Sequence, residues 1–168
     1  QYHQDKLNET EFRAKYNLDE RPIIALLPGS RKQEISKLLP VMLEAIEPYS
    51  DSYQVLIAGA PNMSEEYYQS FYKHYKPLIL TGVTYDIISN AEAALVTSGT
   101  ATLETALLKT PEVVCYVGSK ISIEIAKRLI KIKFISLVNL IMDRQVVTEL
   151  IQNDCNPVRI RKELSLII

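Results

Sequence analysis

The sequence predicts an α/β fold with a parallel sheet wound on both faces, and three observations carry that reading. Short, nearly unbroken apolar runs recur along the chain, each stops at a turn of small residues or proline, and helix-length stretches separate them. A strand covered on both faces needs a continuous apolar run rather than an alternating one. In such sheets ligands bind at the carboxyl ends of the strands, which directs attention to the turns.

Taken in order, Asn8 with Glu11 three residues on is a capping-box signature for a helix over residues 9–16, and Asn17 suits its end. Residues 22–27 read as a buried strand stopped by Pro28-Gly29-Ser30-Arg31. Helical spacing follows over 33–47, with Pro40 inside it; an interior proline costs about 3 kcal/mol, so a kink or a break is expected there. Residues 53–58 form the next strand, ending at Gly59-Ala60-Pro61, and Ser64 with Glu65 and Glu66 opens a tyrosine-rich helix. Short strands at 77–80 and 91–96 flank a small helix over 84–90. A helix begins after Ser98-Gly99, residues 113–117 make a further strand, and 120–133 a further helix. The later run Glu149-Leu150-Ile151-Gln152 carries no element signal of its own.

Of 168 residues, 47% are hydrophobic and 23% charged, ordinary for one well-buried domain. With 19 basic and 20 acidic residues the net charge is −1, so no global field argues for nucleic acid. Cys115 and Cys155 lie in unrelated contexts without metal or redox spacing, as incidental thiols of a reducing compartment do, and Cys115 belongs to the core. His3 and His74 have no metal-ligand spacing around them, and no metal is expected. The chain has no membrane-length apolar stretch and no secretory start, so a soluble cytoplasmic protein is expected. It begins without methionine and ends on an abruptly apolar run, which suggests a piece of a longer protein.

The most informative run is Ser98-Gly99-Thr100-Ala101-Thr102-Leu103-Glu104. It puts small residues at the mouth of a helix, where unpaired amides and a partial positive charge suit a phosphate, and Gly99 lets the backbone approach closely. Glu104, one turn beyond Thr100, either accepts from ribose hydroxyls or serves as a surface glutamate near the helix start. Ser30 and Arg31 add a hydroxyl and a guanidinium able to grip phosphate, unless they form only a solvated turn. Neither a dinucleotide glycine fingerprint nor an ATP P-loop is present. Lys120, Glu124, Lys127 and Lys131 share one face of the 120–133 helix, opposite Ile121, Ile125, Leu129 and Ile132. That pattern suits an anionic membrane surface, a phosphorylated lipid or an ordinary surface helix.

In combination, Leu27-Pro28-Gly29-Ser30-Arg31, the 98–104 run, Ala126-Lys127-Arg128-Leu129, Ser136-Leu137-Val138-Asn139-Leu140 and Glu149-Leu150-Ile151-Gln152 resemble the lipid-A-disaccharide synthases. The resemblance covers most of residues 12–155 and implies a Rossmann-like domain, the donor-binding half of a GT-B glycosyltransferase. It implies an inverting transfer of 2,3-diacylglucosamine from UDP to 2,3-diacylglucosamine 1-phosphate, with no cofactor or metal. The acceptor site and catalytic base would belong to an amino-terminal domain outside this chain, and the enzyme would work at the inner face of the bacterial inner membrane. By the same resemblance Ser30, Arg31, Ser98, Gly99, Thr100, Ala101 and Thr102 hold the diphosphate and Glu104 the ribose. Asn139, Glu149 and Gln152 would contact donor sugar or diphosphate, and the backbone at Gly82 and Val83 would read uracil by analogy with related transferases. Val138 stands where the family has proline, which would loosen the turn presenting Asn139, and Asp143 places a negative charge near that turn. A UDP-sugar epimerase and a non-catalytic UDP-binding module are the alternatives.

Overall fold

The computed structural model describes residues 8–118 and 133–168. Except for Lys133, the basic stretch expected as a helix over 120–133 lies outside the described residues, as do His3 and the run 126–129. Six described strands form one parallel sheet: β1 (Ile23–Leu27), β2 (Gln54–Gly59), β3 (Leu78–Thr81), β4 (Ala93–Thr97), β5 (Glu112–Tyr116) and β6 (Thr148–Ile151). Their order across the sheet is β3-β2-β1-β4-β5-β6. The chain therefore builds outward from β1 to β3, then returns to the other side of β1 with β4, and this reversal opens a crevice between the carboxyl ends of β1 and β4.

Every residue of β1 and β4 is buried, as continuous apolar runs require. Alternation still decides which layer each side chain enters. Ile24 and Leu26 join a cluster under α2 (Lys32–Ile46) and α7 (Pro157–Leu164). Ile23, Ala25 and Leu27 join a second cluster with Phe12 of α1 (Glu9–Lys15) and Ile87 and Ile88 of α4 (Thr84–Ser89), against which Ala101 of α5 (Thr100–Leu107) packs. The remaining helices are α3 (Glu65–Gln69) and α6 (Leu137–Met142).

Local signals hold where the chain closes its own hydrogen bonds. Asn8 and Glu11 form the reciprocal cap of α1, and Asn17 takes a left-handed φ of 52° just beyond it. Two expectations change. α2 runs unbroken through Pro40, because Ile35, Leu38, Leu39, Met42 and Ile46 are all buried on its inner face. At roughly 1.5–3 kcal/mol for each such side chain, that burial outweighs one lost amide bond. The second change is β6, a short edge strand whose register sets Leu150 beside Cys115. The two cysteines also meet: both are buried in the first cluster, and hydrogen bonding to Cys155, followed by burial, pushes the Cys115 thiol well up.

Glu112 is out of keeping with its surroundings. It opens β5 opposite Ala94 of the second cluster, is 5% exposed, and neither carboxylate oxygen has a hydrogen-bond partner among the described residues. Burial pushes its pKa up from 4.5 to about 8. The folded chain therefore binds a proton that the unfolded chain releases, and stability falls as pH rises between those two values. We expect Glu112→Met to stabilise the chain by about 1–3 kcal/mol at pH 8, with a smaller gain at pH 5, read from urea unfolding at both pH values. An equal gain at both would dissociate the cost from ionisation.

Candidate functional site

The crevice at the reversal is a groove of about 400 Å³. One wall is the β1–α2 loop with Gly29, Ser30, Arg31 and Glu34; the other is Thr97, Ser98, Gly99, Thr100 and Ala101 at the β4–α5 turn. Gly59, Ala60 and Pro61 close one end beside Thr84. The two motifs, nearly seventy residues apart in the chain, meet because Leu27 and Val96 are register partners and each loop starts just beyond them. Tyr68, buried under the sheet, accepts a hydrogen bond from the Ala60 amide at 2.8 Å and so fixes the β2 end of the groove.

At the β4–α5 turn Gly99 has φ 153° and ψ −160°, a conformation that a side chain disfavours, and among the described residues no atom lies within 4 Å of where a Cβ would stand. The Ser98 amide donates to Cys115 O and the Thr102 amide to Gly99 O. The amides of Thr100 and Ala101 belong to the first turn of α5, where helical geometry supplies no acceptor, and both residues line the groove. This is the arrangement that an anion stabilises. Thr102 is placed differently from its expected role: it is fully buried and its hydroxyl donates to Gly99 O at 2.8 Å, closing the turn from within.

Glu104 stands one turn further along α5, and one of its carboxylate oxygens accepts from the Tyr85 hydroxyl at 3.0 Å. That bond joins α5 to α4, whose entry turn holds Gly82 (φ 79°) and Val83 beside Thr84 at the groove. The side chain of Arg31 is 82% exposed and pairs with Glu34 at 3.6 Å. Among the described residues, no three His, Cys, Asp or Glu side chains gather as metal ligands would.

Asn139 and Glu149 are brought together, but as a bracket behind the groove rather than in its lining. Asn139 is fully buried. Its Oδ1 accepts from the amides of Val146 and Val147 at 2.6 and 3.0 Å, and its Nδ2 donates to Val147 O and to Glu149 Oε1, both at 2.8 Å. Glu149 also accepts from the amides of Ile135 and Ser136 and from the Ser136 hydroxyl. Ser98 Oγ donates to Ile135 O at 3.3 Å, so the bracket supports the β4–α5 turn through residues 135 and 136. The turn lacking proline is held by Ser136, whose hydroxyl caps α6 through the Asn139 amide, while Val138 packs inward and Asp143 ends the helix at φ 48°. Gln152 donates to Gly118 O at 3.2 Å and likewise lies outside the lining. Spacing alone could not show that the Asn139 and Glu149 side chains bond the chain itself. Glu34, absent from the expected set, stands at the groove.

A parallel sheet flanked by helices in this Rossmann-like order is the fold of a GT-B glycosyltransferase domain, and solved glycosyltransferase structures share that fold. The Escherichia coli ADP-heptose lipopolysaccharide heptosyltransferase II is 15% identical with a TM-score of 0.60, the match covering 99% of this chain and 52% of that one. The calicheamicin glycosyltransferase CalG4 is 15% identical with a TM-score of 0.53, covering 88% and 35%. A family model described as lipid-A-disaccharide synthetase matches residues 2–168, and the chain belongs to that family. Lipid-A-disaccharide synthases from Syntrophus aciditrophicus, Myxococcus xanthus and Coxiella burnetii are 42%, 38% and 36% identical over 86%, 92% and 94% of the chain. The chain spans 39–43% of the length of these relatives.

Because Asn139 satisfies three backbone groups and the Glu149 carboxylate at once, Asn139→Ala should destabilise the chain by about 2–4 kcal/mol. The urea midpoint measures this, and an unchanged midpoint would return Asn139 to the pool of candidate ligand contacts.

Proposed function

We propose that the chain is the donor-binding half of an inverting glycosyltransferase that transfers 2,3-diacylglucosamine from UDP to the 6-hydroxyl of 2,3-diacylglucosamine 1-phosphate. Family membership supplies the reaction, and the meeting of Arg31 with the α5 mouth across the β1/β4 crevice is the observation that carries the assignment of this half. The diphosphate lies across the crevice, Glu104 faces the ribose, and the β3–α4 turn at Gly82 and Val83 lies toward the uracil.

In the reaction a base removes the acceptor hydroxyl proton, the oxygen attacks the anomeric carbon, and the bond to UDP breaks on the opposite face. Negative charge then grows on the diphosphate, where the first-turn amides of α5 and the Arg31 guanidinium stabilise it; we propose no metal in this step. The base is assigned outside this chain, to the domain that holds the acceptor. We also propose a cytoplasmic enzyme resting on an anionic membrane face, supported by the lysine pattern of the 120–133 stretch. Among the described residues no helix is long and apolar enough to cross a membrane.

Calorimetric titration with UDP tests the reading, and absence of both heat and chemical-shift change at millimolar UDP would refute it for this chain. Arg31→Ala should weaken UDP binding about ten- to hundredfold, since a charge-assisted hydrogen bond contributes about 1.5–3 kcal/mol. Equal affinities would leave Arg31 as a solvated turn residue. Lys127→Glu with Lys131→Glu should reduce co-sedimentation with anionic vesicles at low salt, and unchanged binding would remove the membrane role.

A further inference from the structure

The amides of the β1–α2 loop already hold a carboxylate. Glu34 Oε2 accepts from the amides of Ser30 and Arg31, each at 3.2 Å, while Oε1 lies 3.6 Å from Arg31 Nη1. The loop is shaped around this carboxylate. Gly29 has φ 109°, and a Cβ there would stand 2.6 Å from Glu34 Oε2 and 2.8 Å from its Cβ, so only glycine lets the side chain fold back over the turn. Glu34 is the third residue of α2, where a carboxylate reaches the cap amides and is favoured by the helix field. It lines the same groove as the α5 mouth.

We infer that Glu34 is a positioning residue with two linked effects: it braces the Gly29–Arg31 loop, and it competes with the incoming nucleoside diphosphate for Arg31. This rests on the UDP reading above. A guanidinium can pair with carboxylate or with phosphate, and the exposed Arg31 side chain is free to exchange one for the other. A fixed negative charge beside the groove also repels the diphosphate. The arrangement holds the loop in shape while weakening retention of the leaving group after transfer.

Glutamine separates the two effects, because its carbonyl oxygen accepts from the same amides without the charge. Glu34→Gln should keep slow hydrogen exchange at the Ser30 and Arg31 amides and bind UDP about three- to tenfold more tightly. That gain should shrink when Arg31→Ala is added. Glu34→Ala should lose the exchange protection of both amides and bind UDP more weakly than Glu34→Gln does. A purely structural role predicts no gain in the glutamine variant, so equal or weaker binding by Glu34→Gln overturns the competition. Unchanged protection in Glu34→Ala overturns the brace. Pyrophosphate serves as a second probe: a wild-type chain that binds pyrophosphate but not UDP refutes the uridine reading and leaves the Glu34 comparison to be made on pyrophosphate. If the wild type and Glu34→Gln bind neither, both assignments fall.

Discussion

The parallel pairing of β1 with β4 is the constraint on which the rest of the structure depends. Because successive crossovers first carry the chain away from β1 and then bring it back on the other side, two loops distant in sequence emerge side by side. Neither loop is a site alone. The β1–α2 turn brings the exposed Arg31 guanidinium, the β4–α5 turn brings the first-turn amides of α5, and the groove lies between them. The buried strands keep this juxtaposition rigid, since shifting β4 by one residue against β1 would exchange the faces of every side chain on it.

Much of this was legible in the sequence because it depends on local rules. β1, β2 and β4 announce themselves as unbroken apolar runs, and the cap of α1 is a two-residue signature that closes its own hydrogen bonds. The pairing of the two glycine turns followed from the family resemblance, with both turns placed at strand carboxyl ends, whereas the strand order that brings them together comes from the structure. β6 was not legible, because Thr148-Glu149-Leu150-Ile151 is short and half polar, and its Glu149 is there to serve the turn at Ser136. Pro40 is the opposite case: the local penalty that suggested a break was visible, while the buried face that keeps α2 continuous is tertiary.

The site residues divide along the same line. Ser30, Arg31, Ser98, Gly99, Thr100 and Ala101 line the groove, their positions following from where strands end. Thr102, Asn139 and Glu149 have the chemistry of ligand contacts, yet their polar atoms hold the chain together. A motif shows that a residue type is required at a position. Whether it faces a ligand or a neighbouring backbone depends on which acceptors and donors the fold has already occupied. Glu34 is the reverse case, a helix-capping glutamate by pattern that reaches the groove because Gly29 leaves it room.

The bond from the Tyr85 hydroxyl to Glu104 has a consequence for any ligand that reaches this carboxylate. It ties α4, which follows the Gly82–Val83 turn, to α5, whose first turn lines the groove. A hydroxyl competing for Glu104 would have to share it with the phenol or displace it, and displacement would change the contact between the two helices. Binding at Glu104 and binding at the α4 turn would then be thermodynamically coupled, so the free energies of two fragments bound separately would not sum to that of the joined ligand.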